Sequence, residues 1–366
     1  MISNDSILEA LRKVIHPEKG KDIVSLGMIR GIDSGEQGIS VIIEPERPND
    51  PFISSVKSSV AKVLKDTFGP DTMISNIEIR SQKTVVQTKE VLRLLPEIKN
   101  IVAISSGKGG VGKSTVAVNL AIALARNNFS VGLLDADIFG PSVPKMFDAD
   151  NYRPEVIKKD DKDIIVPLLK HGVKVLSTGF FVKPTDAVVW RGPMASNFLK
   201  QLMEQGDWGS LDYLLIDLPP GTSDIHLTLV QEVAVTGAVI ITTPQEVALA
   251  DAIKGIAMFR SKKINVPILG LIENMSWFTP AELPENRYYI FGKEGGKKLS
   301  EETGVPLLGQ IPVIQSICEN SDKGHPDVLD DSPAGNAFLS IAGELVKRVN
   351  KRNLEEKPTE KVNINK

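Results

Sequence analysis

Residues 101–115 read IVAISSGKGGVGKST: an apolar run, a glycine-rich turn, and the start of a segment in which Val116, Leu120 and Leu124 share one helical face. The unbroken apolar run Ile101 to Ile104 predicts a strand buried on both faces, and the helical spacing after it predicts a helix. Between them, Gly107, Lys108, Gly109, Gly110, Val111, Gly112, Lys113, Ser114 and Thr115 contain the full GxxxxGK[ST] pattern, with a second lysine just after the first glycine. Such glycines let successive backbone N–H groups turn inward, and the following helix adds its positive end. Lys113 supplies a fixed charge for the β- and γ-phosphates, and the Ser114 hydroxyl suits a Mg²⁺ position. The expected ligand is a nucleoside triphosphate with Mg²⁺.

From Asn100 onward, strands alternate with helices. Strands are expected at Ile101–Ser105, Val131–Asp135, Val173–Ser177, Tyr213–Asp217, Ala238–Thr242, Ile268–Glu273 and Leu307–Ile311. Several are near-continuous apolar runs, as in a parallel sheet covered on both faces. The fold class is therefore α/β: a mostly parallel, doubly wound P-loop NTPase sheet, preceded by a small α+β domain over 1–82. In that domain Ser6 to Ile15 predicts a helix. Ile23–Ile32 and Gly38–Glu44 predict two strands around the turn Asp33-Ser34-Gly35-Glu36. Asp50-Pro51 starts a second helix that Gly69-Pro70 stops, and Met73–Ile79 gives a last strand. Residues 83–99 form a connector with the short amphipathic piece Val91 to Leu95, and the ATPase domain covers 100–349. The polar stretch 350–366 is expected to be disordered.

Two acidic segments complete the nucleotide site. Asp135 and Asp137 end one predicted strand, and Asp217 ends another before Leu218-Pro219-Pro220-Gly221-Thr222. Carboxyl ends of parallel strands are where ligands bind. Asp137 suits positioning of the attacking water, and Asp135 suits support of the Mg²⁺ shell. Asp217 suits a Mg²⁺-linked water, and the Pro-Pro-Gly turn suits a loop that senses the γ-phosphate. An isolated aspartate at such a place is more often a helix cap, but three after a phosphate loop argue for the site. Lys108 is either a solvated surface charge or a lysine that reaches phosphate oxygens held by a second subunit, neutralising charge as an arginine finger does.

These residues together resemble the deviant Walker A group of P-loop ATPases, and within it the Mrp/ApbC family of iron–sulfur cluster carriers. Trp190-Arg191-Gly192-Pro193-Met194, Thr243-Pro244-Gln245, Glu273-Asn274-Met275-Ser276 and Ile290-Phe291-Gly292 carry the likeness further. The N-terminal unit, with Pro17-Glu18 and Asp22 to Met28, resembles the small domain often fused to this family. The resemblance implies a homodimeric ATPase that binds iron–sulfur clusters and transfers them to apoprotein clients. It implies that Lys108 crosses the dimer to the partner's nucleotide and that Asn274 reads the adenine edge.

The sequence departs from the family at the cluster ligands. Members typically carry a Cys-x-x-Cys pair shortly after Asn-Met-Ser, but here Trp277 to Asn286 contains no cysteine. Clusters are normally held by four thiolates, and Cys318 is the single cysteine of the chain. Cys318 is either an iron–sulfur ligand shared across a dimer or a small hydrophobe on a C-terminal helix. Around Glu46 to Asp50, where related small domains often carry a cysteine, there is none. The four histidines show no paired ligand spacing, and His226 is expected to pack or face solvent on a helix. Two alternatives to a carrier stand: a nucleotide-gated scaffold without its own cluster, and a positioning or partition ATPase. The tail lacks the apolar face or basic block that the last would use.

The bulk of the 366 residues fits this reading. The chain is 42% hydrophobic and 24% charged with net charge −3, which provides no global basic field for nucleic acid. No run approaches the ~20 apolar residues of a membrane span. A single cysteine and a start without a leader pattern predict a cytoplasmic protein.

Overall fold

The computed structural model describes residues 2–35, 38–45, 50, 52–79, 95–182, 192–280, 282–283, 285–359 and 361. Glu36, residues 46–49, Pro51, the connector piece 91–94, Trp190-Arg191, Ala281 and Pro284 lie outside the described residues. The chain divides into two compact units, Met1–Leu92 and Arg93–Lys366.

The first unit is a three-stranded sheet with two helices. Helix α1 (Asn4–Leu11) is capped by the Ser3 hydroxyl, which accepts from Ser6 N–H. Strand β1 (Ile29–Gly35) pairs antiparallel with β2 (Gly38–Ile43); after helix α2 (Ile53–Phe68), β3 (Ile74–Ile79) pairs parallel with β2. Ile7, Leu11, Ile23, Val41, Ile43, Val56, Val60 and Leu64 form its core. The expected strand Ile23–Ile32 begins only at Ile29. The Asp22 carboxylate instead accepts the N–H groups of Val24 and Ser25 at 3.1 and 2.7 Å, which curls residues 22–27 into turns. Asp50 accepts Phe52 N–H at 2.9 Å at the start of α2, and its other oxygen meets buried His16 Nε2 at 2.9 Å.

The second unit is an eight-stranded sheet covered on both faces. It opens with β4 (Ile98–Ser106), α3 (Lys113–Arg126), β5 (Val131–Asp135) and α4 (Val143–Met146). A hairpin, β6 (Val156–Lys159) and β7 (Lys162–Ile165), stands apart from the sheet. Next come β8 (Leu168–Lys170), β9 (Val173–Ser177), α5 (Gly192–Gln205), β10 (Leu211–Asp217), α6 (Asp224–Glu232), β11 (Gly237–Thr242) and α7 (Glu246–Arg260). The unit closes with β12 (Ile268–Glu273), α8 (Gly295–Thr303), β13 (Leu307–Gln310), α9 (Gln315–Lys323) and α10 (Pro333–Glu355).

The strand order is β13-β12-β11-β4-β10-β5-β9-β8. Every pairing is parallel except β8 on β9. All seven strands expected in this region are present. One face is packed by α3 and α10 and the other by α5, α6 and α7. Because β4 has β10 on one side and β11 on the other, the chain leaves β4 at the sheet's reversal of order, where a ligand crevice opens. Helix α10 continues to Glu355, six residues into the segment expected to be a disordered tail. Val349 is buried and Arg352 donates to Lys357 O and Thr359 Oγ1, so side chains on one face of this last turn are held. Among the described residues no helix is long and apolar enough to cross a membrane.

Candidate functional site

The turn after β4 places Gly107 to Gly112 over the carboxyl edge of the sheet, and Lys113 opens α3. Gly107 and Gly112 are demanded by their surroundings. A Cβ on Gly107 would collide with the backbone of Asp251 in α7, and one on Gly112 with the side-chain amide of Asn274. Gly112 also has φ +80°, a conformation that favours glycine.

Lys113 is buried at the base of this loop and held by carboxylates. Its Nζ lies 2.6 Å from Asp217 Oδ1 and 3.8 Å from Asp137 Oδ2, and it donates to Ser114 Oγ at 3.3 Å. Asp135 lies beside Asp217 because the two are paired in register on β5 and β10. Asp135 accepts from Ser177 Oγ at 2.8 Å and from Asp137 N–H at 3.1 Å.

Both Asp135 and Asp217 are fully buried. Burial, and then the charge of Asp217, push the Asp135 carboxyl up to about 7. Burial also raises Asp217, outweighing the Lys113 ammonium beside it. Asp217 Oδ2 is buried with no hydrogen-bond partner. That orphaned oxygen, next to the Ser114 hydroxyl, is the donor set a hard divalent cation takes, so these residues fit Mg²⁺.

The structure thus brings together Gly107 to Thr115, Asp135, Asp137, Asp217 and Asn274. Asn274 donates from Nδ2 to Val111 O at 2.9 Å and so grips the loop itself. Beside it, buried Glu273 accepts from Gly296 N–H and, at 2.7 Å, from Gln310 Nε2, which ties the end of β12 to α8 and β13. Lys108 is half-buried, and among the described residues its ammonium has no hydrogen-bond or ion-pair partner; only its carbonyl is used, by Ser106 Oγ.

Cys318 is not brought to the cluster of carboxylates. It lies on α9 and its side chain is exposed, so it is not the packed hydrophobe that was one expectation. Among the described residues no group of three or more His, Cys, Asp and Glu side chains is placed to hold a metal ion. Trp277 and Arg287 stack at 4.4 Å, and Phe278 bridges Tyr288 and Val313. The stretch that replaces the cysteine pair is therefore framed by an aromatic–cation stack.

Sequence reasoning missed Ser105, Ser177 and the polar role of His226. Of the two places expected for His226, packed or facing solvent, it is buried, and it also completes a capping box with Ser223 at the start of α6. The spacing Ser-x-x-His was the available signal, obscured because Glu or Gln is usual at that place.

A family model described as NUBPL iron-transfer P-loop NTPase matches residues 97–346, and one described as iron-sulfur cluster assembly protein matches residues 4–85. The chain is 41% identical over 353 residues to the iron-sulfur cluster carrier protein of Synechocystis sp., covering 95% of this chain and 98% of that protein. It is 48% identical over 254 residues to the iron-sulfur cluster transfer protein NUBPL of Dictyostelium discoideum, covering 69% and 77%. A solved nucleotide-binding protein from Archaeoglobus fulgidus in complex with ADP superposes with a TM-score of 0.57 at 34% identity, covering 67% of this chain and 93% of that one.

Proposed function

Because the chain belongs to the family of NUBPL iron-transfer P-loop NTPases, we propose that it hydrolyses ATP and carries iron–sulfur clusters to apoprotein clients. The observation that carries the ATPase half is the meeting of Lys113, Ser114, Asp137 and Asp217 beneath the glycine loop. The carrier half rests on the relatives, one an iron-sulfur cluster carrier protein and one an iron-sulfur cluster transfer protein.

ATP would lie along the loop, with backbone N–H groups and the α3 N-terminus on its phosphates. Lys113 would exchange Asp217 for the β- and γ-phosphate oxygens. Ser114 and the freed Asp217 would then hold Mg²⁺, which when bound neutralises phosphate charge. Asp137, at the lip of the site, would orient water toward the γ-phosphate. Lys108, whose ammonium has no partner among the described residues, would serve the nucleotide of a second copy in a homodimer. Asn274 would meet the base from the position in which it holds Val111 O.

One thiol per chain gives two in a dimer, so a cluster of the usual four-thiolate kind would take further ligands from a client or a small thiol. The absence of a second cysteine favours a second reading, a nucleotide-gated scaffold that never holds the cluster itself.

Lys113→Ala is expected to abolish ATP turnover, and Lys108→Ala to lower it more than about tenfold, the order for losing a transition-state charge. Normal turnover by a folded Lys113→Ala protein would refute the site. Anaerobic reconstitution, reading iron and sulfide in wild type and Cys318→Ser, separates the two readings. The carrier reading expects cluster in wild type that is lost in the variant, and the scaffold reading expects none in either.

A further inference from the structure

The loop between β10 and α6 is short of free hydrogen-bond donors. Leu218 N–H is taken by Ile104 O at 3.0 Å and Gly221 N–H by Ser106 O at 2.9 Å. Pro219 and Pro220 have no N–H to give. Ser223 N–H points at His226 Nδ1, 3.2 Å away. Among the described residues, only the Thr222 amide of this loop has no partner, and Thr222 is exposed.

The imidazole that takes the Ser223 amide has a second contact. With Nδ1 accepting, the ring proton sits on Nε2. That N–H faces Ser105 Oγ at 3.4 Å, on the strand that runs into the phosphate loop. The ring is almost wholly buried, and Phe259 of α7 lies against it with centroids 6.3 Å apart.

We infer that His226 is a positioning residue for nucleotide turnover: a neutral imidazole that ties the first turn of α6 to Ser105 of β4. It thereby fixes the far end of the 218–223 loop relative to the phosphates and leaves the Thr222 amide free to meet them. This rests on the ATP-turnover reading above. The loop is anchored up to Gly221 by the amides of Leu218 and Gly221 on β4, so what orients Thr222 beyond that is its other neighbour, Ser223, which His226 holds.

The chemistry explains why histidine stands where a capping box usually has Glu or Gln. A glutamate would accept the same amide but add a negative charge close to the triphosphate. The imidazole accepts without charge, since burial holds its pKa down at about 4, outweighing the Ser223 backbone contact that raises it, with the Lys113 ammonium opposing protonation as well. Glutamine would keep the cap but is not built to reach both Ser223 and Ser105.

The test uses the full chain with Ser105→Ala, His226→Gln and the double variant. Each single change is expected to lower kcat about tenfold, as loss of orientation does, with KM for ATP within about twofold. The double variant should be no slower than the slower single one, because both remove one link. Additive losses, or kcat unchanged in both single variants of an active protein, would overturn the inference. A wild type without turnover would refute the reading beneath it instead. An independent arm is ¹⁵N NMR of the imidazoles, with His226 assigned by its loss in His226→Gln. It should show His226 neutral and protonated on Nε2 at pH 7, with Nε2 shifting in Ser105→Ala. A ring protonated on Nδ1 would overturn the inference whatever the kinetics show.

Discussion

Lys113 faces two aspartates, and a third, Asp135, sits one strand further on with its carboxyl raised to about 7. The sign of its effect on stability follows from where the proton sits. Between about pH 4 and 7 the folded protein keeps a proton on Asp135 that the unfolded chain has lost, so stability falls as pH rises through that window. Asp217, raised as well, acts in the same direction. Buried His226, lowered to about 4, acts in the opposite sense below about pH 6.5, so the test is the difference between two proteins: on raising the pH from 5 to 8 without nucleotide, Asp135→Asn is expected to lose less melting temperature, or gain more, than wild type. Equal slopes in thermal melts of the two proteins would contradict the assignment. All three carboxylates were legible in the sequence because strand-end aspartates after a phosphate loop form a pattern. That Asp135 pairs with Ser177 was not, because 42 residues of chain separate them and only sheet pairing brings them together.

Helix α2 illustrates what local signals do and do not settle. Asp50 was legible as its starting acceptor, and it does accept Phe52 N–H. Its partner His16 lies 34 residues earlier and carries no spacing signal. Asp50→Ala leaves both the Phe52 amide and the buried His16 Nε2 unpaired, at about 1–3 kcal/mol for each buried group. Denaturant unfolding should show a loss of that order, with Asp50→Asn recovering only part of it, because its one amide oxygen replaces one of the two accepting oxygens while its NH2 faces a donor at the other. In the larger unit the long apolar strands were read correctly, whereas β6, β7 and β8 were not. They have three or four residues each, and the β6–β7 turn uses Asp160 and Asp161 at φ +51° and +60° where Asn-Gly would have announced a hairpin. The start of β1 was misplaced because an Asp22 turn competes locally with strand pairing for the same backbone groups.

Two units with separate cores are expected to give two calorimetric transitions. MgATP should raise only the one belonging to Arg93–Lys366, by about 2.7 kcal/mol at a hundredfold excess over Kd. A shift of both peaks together would show that the units unfold as one. Within the larger unit the surroundings of the phosphate loop are unequal. Helix α3 is buried continuously from Val116 to Leu124, with the sheet on one side and α10 on the other. Across the crevice stands a loop whose two prolines and few amides give it little internal bonding. A shift of that loop on nucleotide exchange passes directly into α6, which follows it in the chain, and from there to α5, which packs on α6. The far surfaces of those two helices would be where another protein could hear which nucleotide is bound.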